Sequence, residues 1–417
     1  MIGRRQLPVS SPLAAGSLAA ALWPAVARRT RSVMQTATLV RETFGTPQVA
    51  LTDSGTSALV LALRIAAGEK GVVAMPAYAC VDLAAAARFA RVHVRLYDID
   101  PRTLGPDLES LSTVLDQGAK AVVVAHLYGF PADVPAVRAL AARHGATVIE
   151  DAAQAAGGTL DGRPLGTMGA LSILSFGRGK GTTGGHGGAL LVHDPIHDVA
   201  FSSELAALGK PRRGWNDLLA AAAQYALGRP SVYGIPAAIP GLQLGEMVYH
   251  PAHTPRSLST AAAALVGRAL RAGRGEVSVR QRNASVLAIA ADEGGDIDAV
   301  RTIPGAVSGM LRFPITDTGS RVERPDLGIL RGYPRTLRDE PKLKRFLEPG
   351  PDIRGAEQLR RTLFTLPTHS RVTRRDMEAM IDWLRVPMRV LAPVLSEAGV
   401  PVGGATGAPS WRRGRRT

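Results

Sequence analysis

The chain has 417 residues, of which 46% are hydrophobic and 20% are charged, and its formal net charge is +15. This length exceeds what one compact core usually fills, so we expect two domains, and the composition excludes general disorder. Nine arginines lie in two terminal stretches, residues 1–32 and 412–416, which contain no acidic residue. No zinc-ligand spacing, RNA-binding aromatic motif or basic heptad region accompanies them. We therefore predict a basic surface that tolerates anionic metabolites, with no nucleic-acid partner and no metal.

The N-terminal segment has some features of a secretory signal. Arg4-Arg5 precedes an apolar stretch from Leu13 to Val26, but this stretch is mostly alanine and is interrupted by Pro24. We interpret residues 1–47 as an N-terminal arm and helix, with a signal peptide as the alternative. The single cysteine, Cys80, excludes an intramolecular disulfide and fits a reducing compartment, so we predict a cytoplasmic protein. No other run is apolar enough to predict a membrane span.

Short β-rich runs alternate with helical stretches between residues 48 and 193. This alternation predicts an α/β domain with a mostly parallel sheet covered by helices on both faces. Ligands of such sheets bind beyond the carboxyl ends of the strands, so the residues after each run are candidates for a site. The predicted strands are Gln48–Thr52, Val72–Met75, Val92–Tyr97, Ala121–Ala125, Thr147–Glu150, Leu171–Phe176 and Ala189–Val192. The predicted helices are Ser57–Ala67, Val81–Ala90 and Val134–His144.

The second half of the chain departs from this pattern. Residues 194–256 contain an alanine-rich helix, Asp217–Leu227, and then a proline-rich stretch; we favour a packed insertion over an active-site lid or a membrane-touching patch. Residues 257–396 are predicted to form a smaller C-terminal α+β domain with a strand at Leu311–Ile315 and a last helix at Arg375–Leu384. Residues 397–417 are rich in Gly, Pro and Arg, which predicts a disordered basic tail.

The first motif with chemical meaning is Ser54-Gly55-Thr56, which follows the first predicted strand and opens a helix. Backbone N–H groups at a helix start bind anions, and glycine lets a phosphate approach closely. Ser and Thr are also ordinary helix caps, so this motif alone leaves both interpretations open.

The second motif is Glu150-Asp151-Ala152-Ala153-Gln154, which follows the strand residues Thr147–Ile149. It places a carboxylate at the carboxyl end of a strand, where a cofactor would lie. A buried carboxylate there needs a cationic partner, and a protonated pyridine nitrogen is one. A helix cap explains this motif equally well.

Lys180 is the most informative residue. The chain has six lysines among 50 basic residues, so arginine is its routine surface cation, yet a lysine stands between a predicted strand and a glycine cluster at 184–188. A lysine amine forms a Schiff base, which arginine cannot. A Walker phosphate loop is excluded, because Gly181 stands where Ser or Thr is required and Leu174 where a glycine is required.

Read in order, Ser54-Gly55-Thr56, His126-Leu127-Tyr128-Gly129, Glu150-to-Gln154 and Ser175-Phe176-x-x-x-Lys180 resemble the sugar aminotransferase family DegT/DnrJ/StrS. The resemblance is close from Gln48 to Val192 and looser from Ser257 to Leu384, where it includes Leu366-Pro367-Thr368-His369. It implies a fold-type-I enzyme that uses pyridoxal 5'-phosphate. It also implies a homodimer with active sites at the subunit interface.

The resemblance also implies roles for single residues. Lys180 would carry the cofactor aldehyde and move the substrate proton, Asp151 would pair with the pyridine nitrogen, and Gln154 would contact the ring hydroxyl. The phosphate would lie at the motif that begins with Ser54 and would contact Gly55, Thr56 and Ser175.

Three positions depart from the family pattern. Cys80 stands where members commonly place an aromatic ring that stacks on the cofactor, and His186 stands where many have an acid. Members also have an asparagine, directly before an alanine-rich helix, that reaches the phosphate in the partner subunit. Asn216 is the candidate here, although about forty unmatched residues separate it from Ser257–Leu265.

On this resemblance the chain is an aminotransferase that moves an amino group, from glutamate as donor, to a keto-sugar. The sugar would be nucleotide-linked and would serve polysaccharide or natural-product assembly. One alternative is a cofactor-binding regulatory or structural homologue without turnover. Another is the dehydratase branch, but that branch has histidine where this chain has Lys180.

Overall fold

The computed structural model describes residues 4–27, 30–239, 248–294, 297–319 and 321–385. The predicted basic tail, residues 397–417, lies outside the described residues. No helix among those described is both long and apolar enough to cross a membrane.

The centre of the molecule is a seven-stranded sheet. Its strands are β1 (Gln48–Thr52), β2 (Val72–Pro76), β3 (His93–Tyr97), β4 (Ala121–Ala125), β5 (Thr147–Asp151), β8 (Leu171–Ser175) and β9 (Gly188–Val192). Two short strands, β6 (Thr159–Leu160) and β7 (Arg163–Pro164), lie between β5 and β8 in the chain and are not part of this sheet. The spatial order is β1-β9-β8-β5-β4-β2-β3, and β9 alone runs antiparallel to its neighbours β1 and β8. The mostly parallel sheet predicted from the sequence is therefore confirmed.

The inner strands of this sheet are largely buried because helices cover both faces. Every residue of β4, Ala-Val-Val-Val-Ala, is buried. Continuous burial of this kind is typical of parallel sheets between helical layers. The helices of this part of the chain are α1 (Ala15–Ala27), α2 (Arg31–Phe44), α3 (Gly55–Ala67), α4 (Asp82–Ala90), α5 (Leu108–Asp116) and α6 (Val134–Ala142).

Three of the helices that follow strands, α3, α5 and α6, begin with side-chain caps. The Ser54 hydroxyl accepts from the Ser57 amide at 3.0 Å at the start of α3, and Asp107 and Asp133 cap α5 and α6 in the same way. Such caps satisfy backbone donors that the first helical turn leaves unpaired. The capping residues thus mark the starts of these three helices.

The segment after β9 is helical and then leads into one long helix. The elements are α7 (Asp198–Ala207), α8 (Trp215–Leu227), α9 (Pro230–Ala237) and α10 (Thr260–Gly294). Small side chains let α1, α8 and α10 pack closely around a separate apolar cluster, formed by Ala21, Ala25, Leu218, Ala221, Ala261 and Leu265.

The C-terminal part builds a second sheet on the far half of α10. Its strands are β10 (Ile297–Ala299), β12 (Arg312–Asp317), β13 (Leu330–Arg331) and β14 (Leu363–Pro367), in the antiparallel order β10-β12-β14-β13; β11 (Ala306–Val307) instead pairs with β6. The last helices are α11 (Arg354–Thr362) and α12 (Arg374–Arg385). The core between this sheet and α12 includes Phe364 and Trp383, whose ring centroids lie 5.5 Å apart edge to face. This antiparallel sheet with its helices is the smaller α+β region expected from the sequence.

Candidate active site

Strands β1, β8, β5, β4 and β2 all point the same way, so their carboxyl ends meet at one edge of the large sheet. Four sequence-predicted site residues lie at or just beyond these ends: Ser54 after β1, Ser175 at the end of β8, Asp151 at the end of β5, and Cys80 shortly after β2. Five residues beyond Ser175 the chain reaches Lys180. The topology thus collects residues that are up to 126 positions apart in the sequence.

Lys180 is held in a tight loop between two glycines with left-handed backbones, Gly179 at φ +73° and Gly181 at φ +81°. A Cβ at Gly181 would lie 2.8 Å from the Cβ of Ala156, so a side chain there would meet both backbone strain and a clash. The Gly181 amide also donates to the Ser11 hydroxyl at 3.1 Å, which ties the loop to the N-terminal arm.

Lys180 shares its surroundings with several acidic groups. Burial lowers the pKa of its amine, but Cys80, Asp82 and Asp151 outweigh burial, and the pKa of Lys180 is raised above its ordinary value. The amine is therefore cationic at neutral pH in the absence of a reaction partner. A lysine amine close to a buried carboxylate at the strand edge is chemically capable of Schiff-base formation and proton transfer.

Asp151 is buried, with 8% of its surface exposed, and its Oδ1 accepts from the Ala153 amide at 3.0 Å. Burial raises the pKa of this carboxyl, while the Ala153 amide and the Lys180 charge partly oppose that effect. Among the described residues no hydrogen bond reaches Oδ2. A buried carboxylate with one open oxygen is suited to a cationic ligand group.

The adjacent carboxylate, Glu150, points to the other face of β5 because side chains alternate along a strand. It is fully buried and accepts five hydrogen bonds, from His126, Gly166, Met168, Gly169 and Ser172. Burial opposes its ionisation, but these donors outweigh burial and lower the pKa of Glu150 to about 2. Glu150 is therefore charged at neutral pH and anchors the fold, and Asp151 is the carboxylate that lines the cavity.

His126, from the His-Leu-Tyr-Gly motif, belongs to that anchor. Its Nδ1 accepts from the Ala132 amide at 3.0 Å, so Nε2 carries the proton that is donated to Glu150 at 2.9 Å. This assignment of the tautomer follows from the acceptor role of Nδ1. The histidine thus joins the end of β4 to β5 at the strand edge.

The predicted phosphate motif lies at the start of α3, a helix of 13 residues. Ser54 uses its hydroxyl to cap Ser57, and a Cβ built on Gly55 would lie 2.7 Å from the Cβ of Ser175. Ser175 therefore rests directly on the first turn of the helix, and Thr56 is the next, half-buried residue of that turn. The structure thus brings Ser54, Gly55, Thr56 and Ser175 together at a positive helix end.

Cys80 and Gln154 line one small cavity with Asp151. The Cys80 thiol lies 3.4 Å from Oδ2 of Asp82, and burial together with that carboxylate raises the pKa of Cys80 to about 12, so it is a neutral thiol at physiological pH. Gln154 donates to the Tyr333 hydroxyl at 2.8 Å and accepts from the Tyr128 amide at 3.2 Å. The cavity is completed by Leu83, Ala125, His126 and Leu127.

Asn216 is not part of this group. It is exposed in the first turn of α8, and the described residues give it no contact with the cluster around Lys180. Its neighbour Asp217 touches the glycine cluster, because a Cβ on Gly185 would lie 2.8 Å from the Asp217 carbonyl oxygen. The contact of Asn216 with a second subunit remains a prediction.

The sequence interpretation missed Asp82, Tyr128 and Tyr333 as site residues. Asp82 follows Cys80 by two positions and begins α4, so its place at the strand edge was available from the sequence. Tyr128 stood within a recognised motif, but its ring stacks on Tyr333 at 5.4 Å between centroids, a contact across 205 positions. No periodicity or motif marks Tyr333, which lies in an irregular stretch.

Comparisons with known proteins agree with this geometry. Residues 26–225 match the model of the DegT/DnrJ/EryC1/StrS aminotransferase family, a range that includes Lys180 and Asp151. An L-glutamine:2-deoxy-scyllo-inosose aminotransferase of Streptoalloteichus tenebrarius is 34% identical over 61% of this chain and 55% of its own length. A UDP-N-acetyl-3-dehydro-alpha-D-glucosamine 3-aminotransferase of Acidithiobacillus ferrooxidans is 35% identical over 34% of this chain and 39% of its own length.

The chain thus spans between about a third and about half the length of the curated relatives it matches. Solved structures are similar over nearly the whole chain. DesI in the presence of its TDP-sugar product aligns with a TM-score of 0.72 at 20% identity, covering 95% of this chain and 96% of DesI. An Escherichia coli GDP-4-keto-6-deoxy-D-mannose-3-dehydratase with bound hydrated pyridoxal phosphate also aligns with a TM-score of 0.72 at 16% identity. The alignment covers 92% of this chain and 100% of the dehydratase. Residues 26–225, and with them the candidate site, thus belong to the DegT/DnrJ/EryC1/StrS aminotransferase family, and the chain has the fold of type-I pyridoxal-phosphate enzymes.

Proposed function

We propose that this protein is a pyridoxal-phosphate-dependent aminotransferase that transfers an amino group from glutamate to a keto-sugar. The observation that supports this proposal best is the proximity of Lys180 to the buried Asp151 at one strand edge, where each affects the pKa of the other. The two residues supply what the chemistry requires, an amine that can bond to an aldehyde and a carboxylate that can hold a ring nitrogen.

The donor set at the strand edge fits the cofactor. Family members depend on pyridoxal phosphate, and the parts of that molecule differ in chemistry. The start of α3 with Ser175 offers an anion site for the phosphate, the open oxygen of Asp151 suits a protonated nitrogen, and Gln154 suits a ring hydroxyl. Cys80 would lie against the ring, since it lines the same cavity as Asp151.

Each residue then has a physical task. When bound, pyridoxal phosphate supplies an aldehyde that accepts an amino group and a protonated ring that withdraws electrons. Asp151 would hold the protonated ring nitrogen, because a buried carboxylate is stabilised by a positive partner. The Lys180 amine would take a proton from the substrate carbon and return it.

The substrate class is inferred from relatives. Their names include a glutamine-dependent aminotransferase for 2-deoxy-scyllo-inosose and an aminotransferase for a UDP-linked sugar, and DesI was solved with a TDP-sugar product. A keto group on a polyhydroxylated ring is common to these reactions. We propose a nucleotide-linked keto-sugar as substrate and a cytoplasmic site of action, with glutamine as the competitor to glutamate as donor.

Two alternative functions make different predictions. A homologue without turnover would bind the cofactor but would not exchange its amino group. A dehydratase of this fold is less consistent with Lys180, because the resemblance associates that branch with histidine at this position.

The visible spectrum of the purified protein separates these alternatives. The proposal predicts a yellow protein whose absorption band shifts when glutamate or glutamine is added and returns when a keto-sugar follows. A band that no amino acid changes would indicate the homologue without turnover. A colourless protein that cannot be loaded with the cofactor would contradict the proposal.

The Cys80→Phe variant tests whether Cys80 lies on the cofactor ring. We expect tighter cofactor binding or an altered substrate range, because an aromatic ring contributes about 0.5–1.5 kcal/mol of stacking beyond its burial. Cys80→Ala, which removes the thiol without adding a ring, is the matched control. Equal cofactor affinity and equal kinetics on all substrates in Cys80→Phe and wild type would place the cysteine away from the ring.

A homodimer with shared active sites is the quaternary structure that we propose from the family resemblance. If Asn216 acts in the partner subunit, mixing Lys180→Ala with Asn216→Ala subunits should restore partial activity, because one of the two sites in each heterodimer is then intact. Assay of mixed subunits after co-refolding measures this, and each variant alone is the control. A fully active monomer in sedimentation would refute the dimer.

A further inference from the structure

The first part of the N-terminal arm, residues 4–11, has no helix or strand and starts against the C-terminal region; we call it the leading segment. Arg4 donates through both terminal nitrogens to the Asp376 carboxylate in the first turn of α12, at 2.5 Å and 2.6 Å. Gln6 is fully buried, and its NH₂ group donates to the same carboxylate and to the Arg371 carbonyl, both at 2.9 Å. Because these buried polar groups are paired, the start of the leading segment is held in one place.

His369 holds the middle of the leading segment. Its Nε2 donates to the Leu7 carbonyl at 2.9 Å, and its Nδ1 accepts from the Arg371 amide at 3.3 Å. The ring is fully buried, and burial lowers the pKa of His369 to about 4. The histidine is therefore neutral at physiological pH, with one donor and one acceptor nitrogen, as these two contacts require. His369 ends the motif Leu366-Pro367-Thr368-His369, to which the proposed function gives no task.

The other end of the leading segment reaches both neighbours of Lys180. A Cβ built on Gly179 would lie 3.5 Å from the Cβ of Val9, which is an ordinary van der Waals distance. The Ser11 hydroxyl accepts from the Gly181 amide at 3.1 Å, and Ser11 is only 4% exposed. The leading segment therefore contacts the residue before the lysine and the residue after it.

The loop around Lys180 needs such a support because a glycine stands on each side of the lysine. Glycine has access to more backbone conformations than any other residue, so two flanking glycines leave the position of the lysine poorly defined. The left-handed backbones of Gly179 and Gly181 are one conformation among several that glycine adopts. The bond from the Gly181 amide to Ser11 favours this conformation, because breaking it would leave a buried amide unpaired.

We propose that Ser11 is a positioning residue for Lys180: its hydroxyl holds the Gly181 amide and thereby fixes the lysine amine near Asp151. Ser11 forms and breaks no bond of the reaction itself. Its effect is on geometry, and a displacement of a reacting group by 1 Å lowers a rate by about 10²-fold. The contacts of the leading segment with His369 and α12 in turn determine where Ser11 stands. The inference rests on the proposed function for the role of Lys180.

The test removes the hydroxyl and restores it. Ser11→Ala removes the acceptor oxygen, Ser11→Thr retains it, and Ser203→Ala is the matched control, because Ser203 is exposed on α7. Hydrogen–deuterium exchange of the full chain, measured by mass spectrometry on the peptide that contains residues 177–183, reports the mobility of the loop. Borohydride quenching at successive times after pyridoxal phosphate is added, with peptide mapping, gives the rate at which the cofactor bonds to Lys180.

Ser11→Ala should raise the exchange rate of this peptide about 3- to 10-fold, the effect of one lost hydrogen bond, and leave exchange elsewhere unchanged. Bonding of the cofactor to Lys180 should slow by about tenfold, since the amine no longer has one defined position. Ser11→Thr should be close to the wild type in both measurements, and Ser203→Ala should change neither. A merely structural role of Ser11 would instead raise exchange throughout the protein without slowing the reaction of Lys180.

Unchanged exchange of the loop peptide in Ser11→Ala, or an unchanged rate of bonding to Lys180, would overturn the inference and leave the proposed function intact. Equal defects in Ser11→Ala and Ser11→Thr would also overturn it, because the side-chain oxygen would then not be the cause. If the cofactor bonds to Lys180 in a Ser11-dependent way but glutamate and glutamine leave the visible band unchanged, the role of Ser11 stands and the aminotransferase is refuted. Cofactor trapped on another lysine would overturn both.

Discussion

Replacing Lys180 with alanine should abolish turnover while the protein still folds and binds the cofactor. Asp151 and the phosphate site at the start of α3 remain in the variant, so non-covalent binding persists. The amine that bonds to the aldehyde and moves the substrate proton is lost. Removal of such a general base lowers the rate by about 10²- to 10⁴-fold, and loss of the covalent link adds to this.

The measurement combines kinetics with chemical trapping. Borohydride should fix the cofactor permanently on Lys180 in the wild type, and peptide mapping should find it on none of the other lysines, which are Lys70, Lys120, Lys210, Lys342 and Lys344. Lys210→Ala is the matched control, because Lys210 is exposed and distant in sequence from the glycine-flanked loop. Trapped cofactor on another lysine, or full turnover in Lys180→Ala, would overturn the mechanism.

The large sheet, and the edge of it where the carboxyl ends of its strands meet, could be predicted from the sequence because both depend on local patterns. Buried parallel strands are continuous apolar runs, and the seven predicted runs agree with the observed strands to within one residue at either end. The positions just beyond the runs then identify Asp151, Cys80 and Ser54 as neighbours without any knowledge of long-range packing. Lys180 was found because its chemistry is distinct from that of the surrounding arginines.

The remaining site residues could not be predicted because they depend on how the two sheets meet. Tyr333 bonds to Gln154 at the cavity, and β12 docks against the Tyr128-Gly129 turn, through contacts that no local pattern encodes. The antiparallel direction of β9 is likewise a tertiary property, since its apolar run is the same in either direction. Strand alternation predicts that Glu150 and Asp151 point to opposite faces of the sheet. Which of the two faces the site could not be predicted, because the sequence does not show on which face the cavity lies.

Replacing Glu150 with glutamine should destabilise the protein more than any other single change at this edge. The two carboxylate oxygens accept five hydrogen bonds, three of them from the backbone amides of Gly166, Met168 and Gly169. In either orientation the glutamine NH₂ group would face donors, so buried amides lose their acceptor. Loss of a buried, fully paired charge costs about 3–5 kcal/mol of unfolding free energy.

The pH dependence of stability provides a second signature of the same carboxylate. Burial opposes ionisation, but the donors around Glu150 lower its folded pKa from 4.5 to about 2, so its contribution is present above the unfolded pKa and is lost as pH falls through the folded one. A shift of this size corresponds to about 3 kcal/mol. Wild-type stability should therefore fall between about pH 4.5 and pH 2 more steeply than that of Glu150→Gln.

Urea unfolding monitored by circular dichroism at neutral and acidic pH measures both effects. Glu42→Gln is the matched control, because Glu42 is exposed on α2 and has no hydrogen bond or ion pair among the described residues; such surface changes are usually within about 0.5 kcal/mol. If Glu150→Gln were as stable as Glu42→Gln at pH 7, the carboxylate would not be the anchor of this edge. The backbone around residues 166–169 would then have to be held by other contacts, and Asp151 would depend on them for its position.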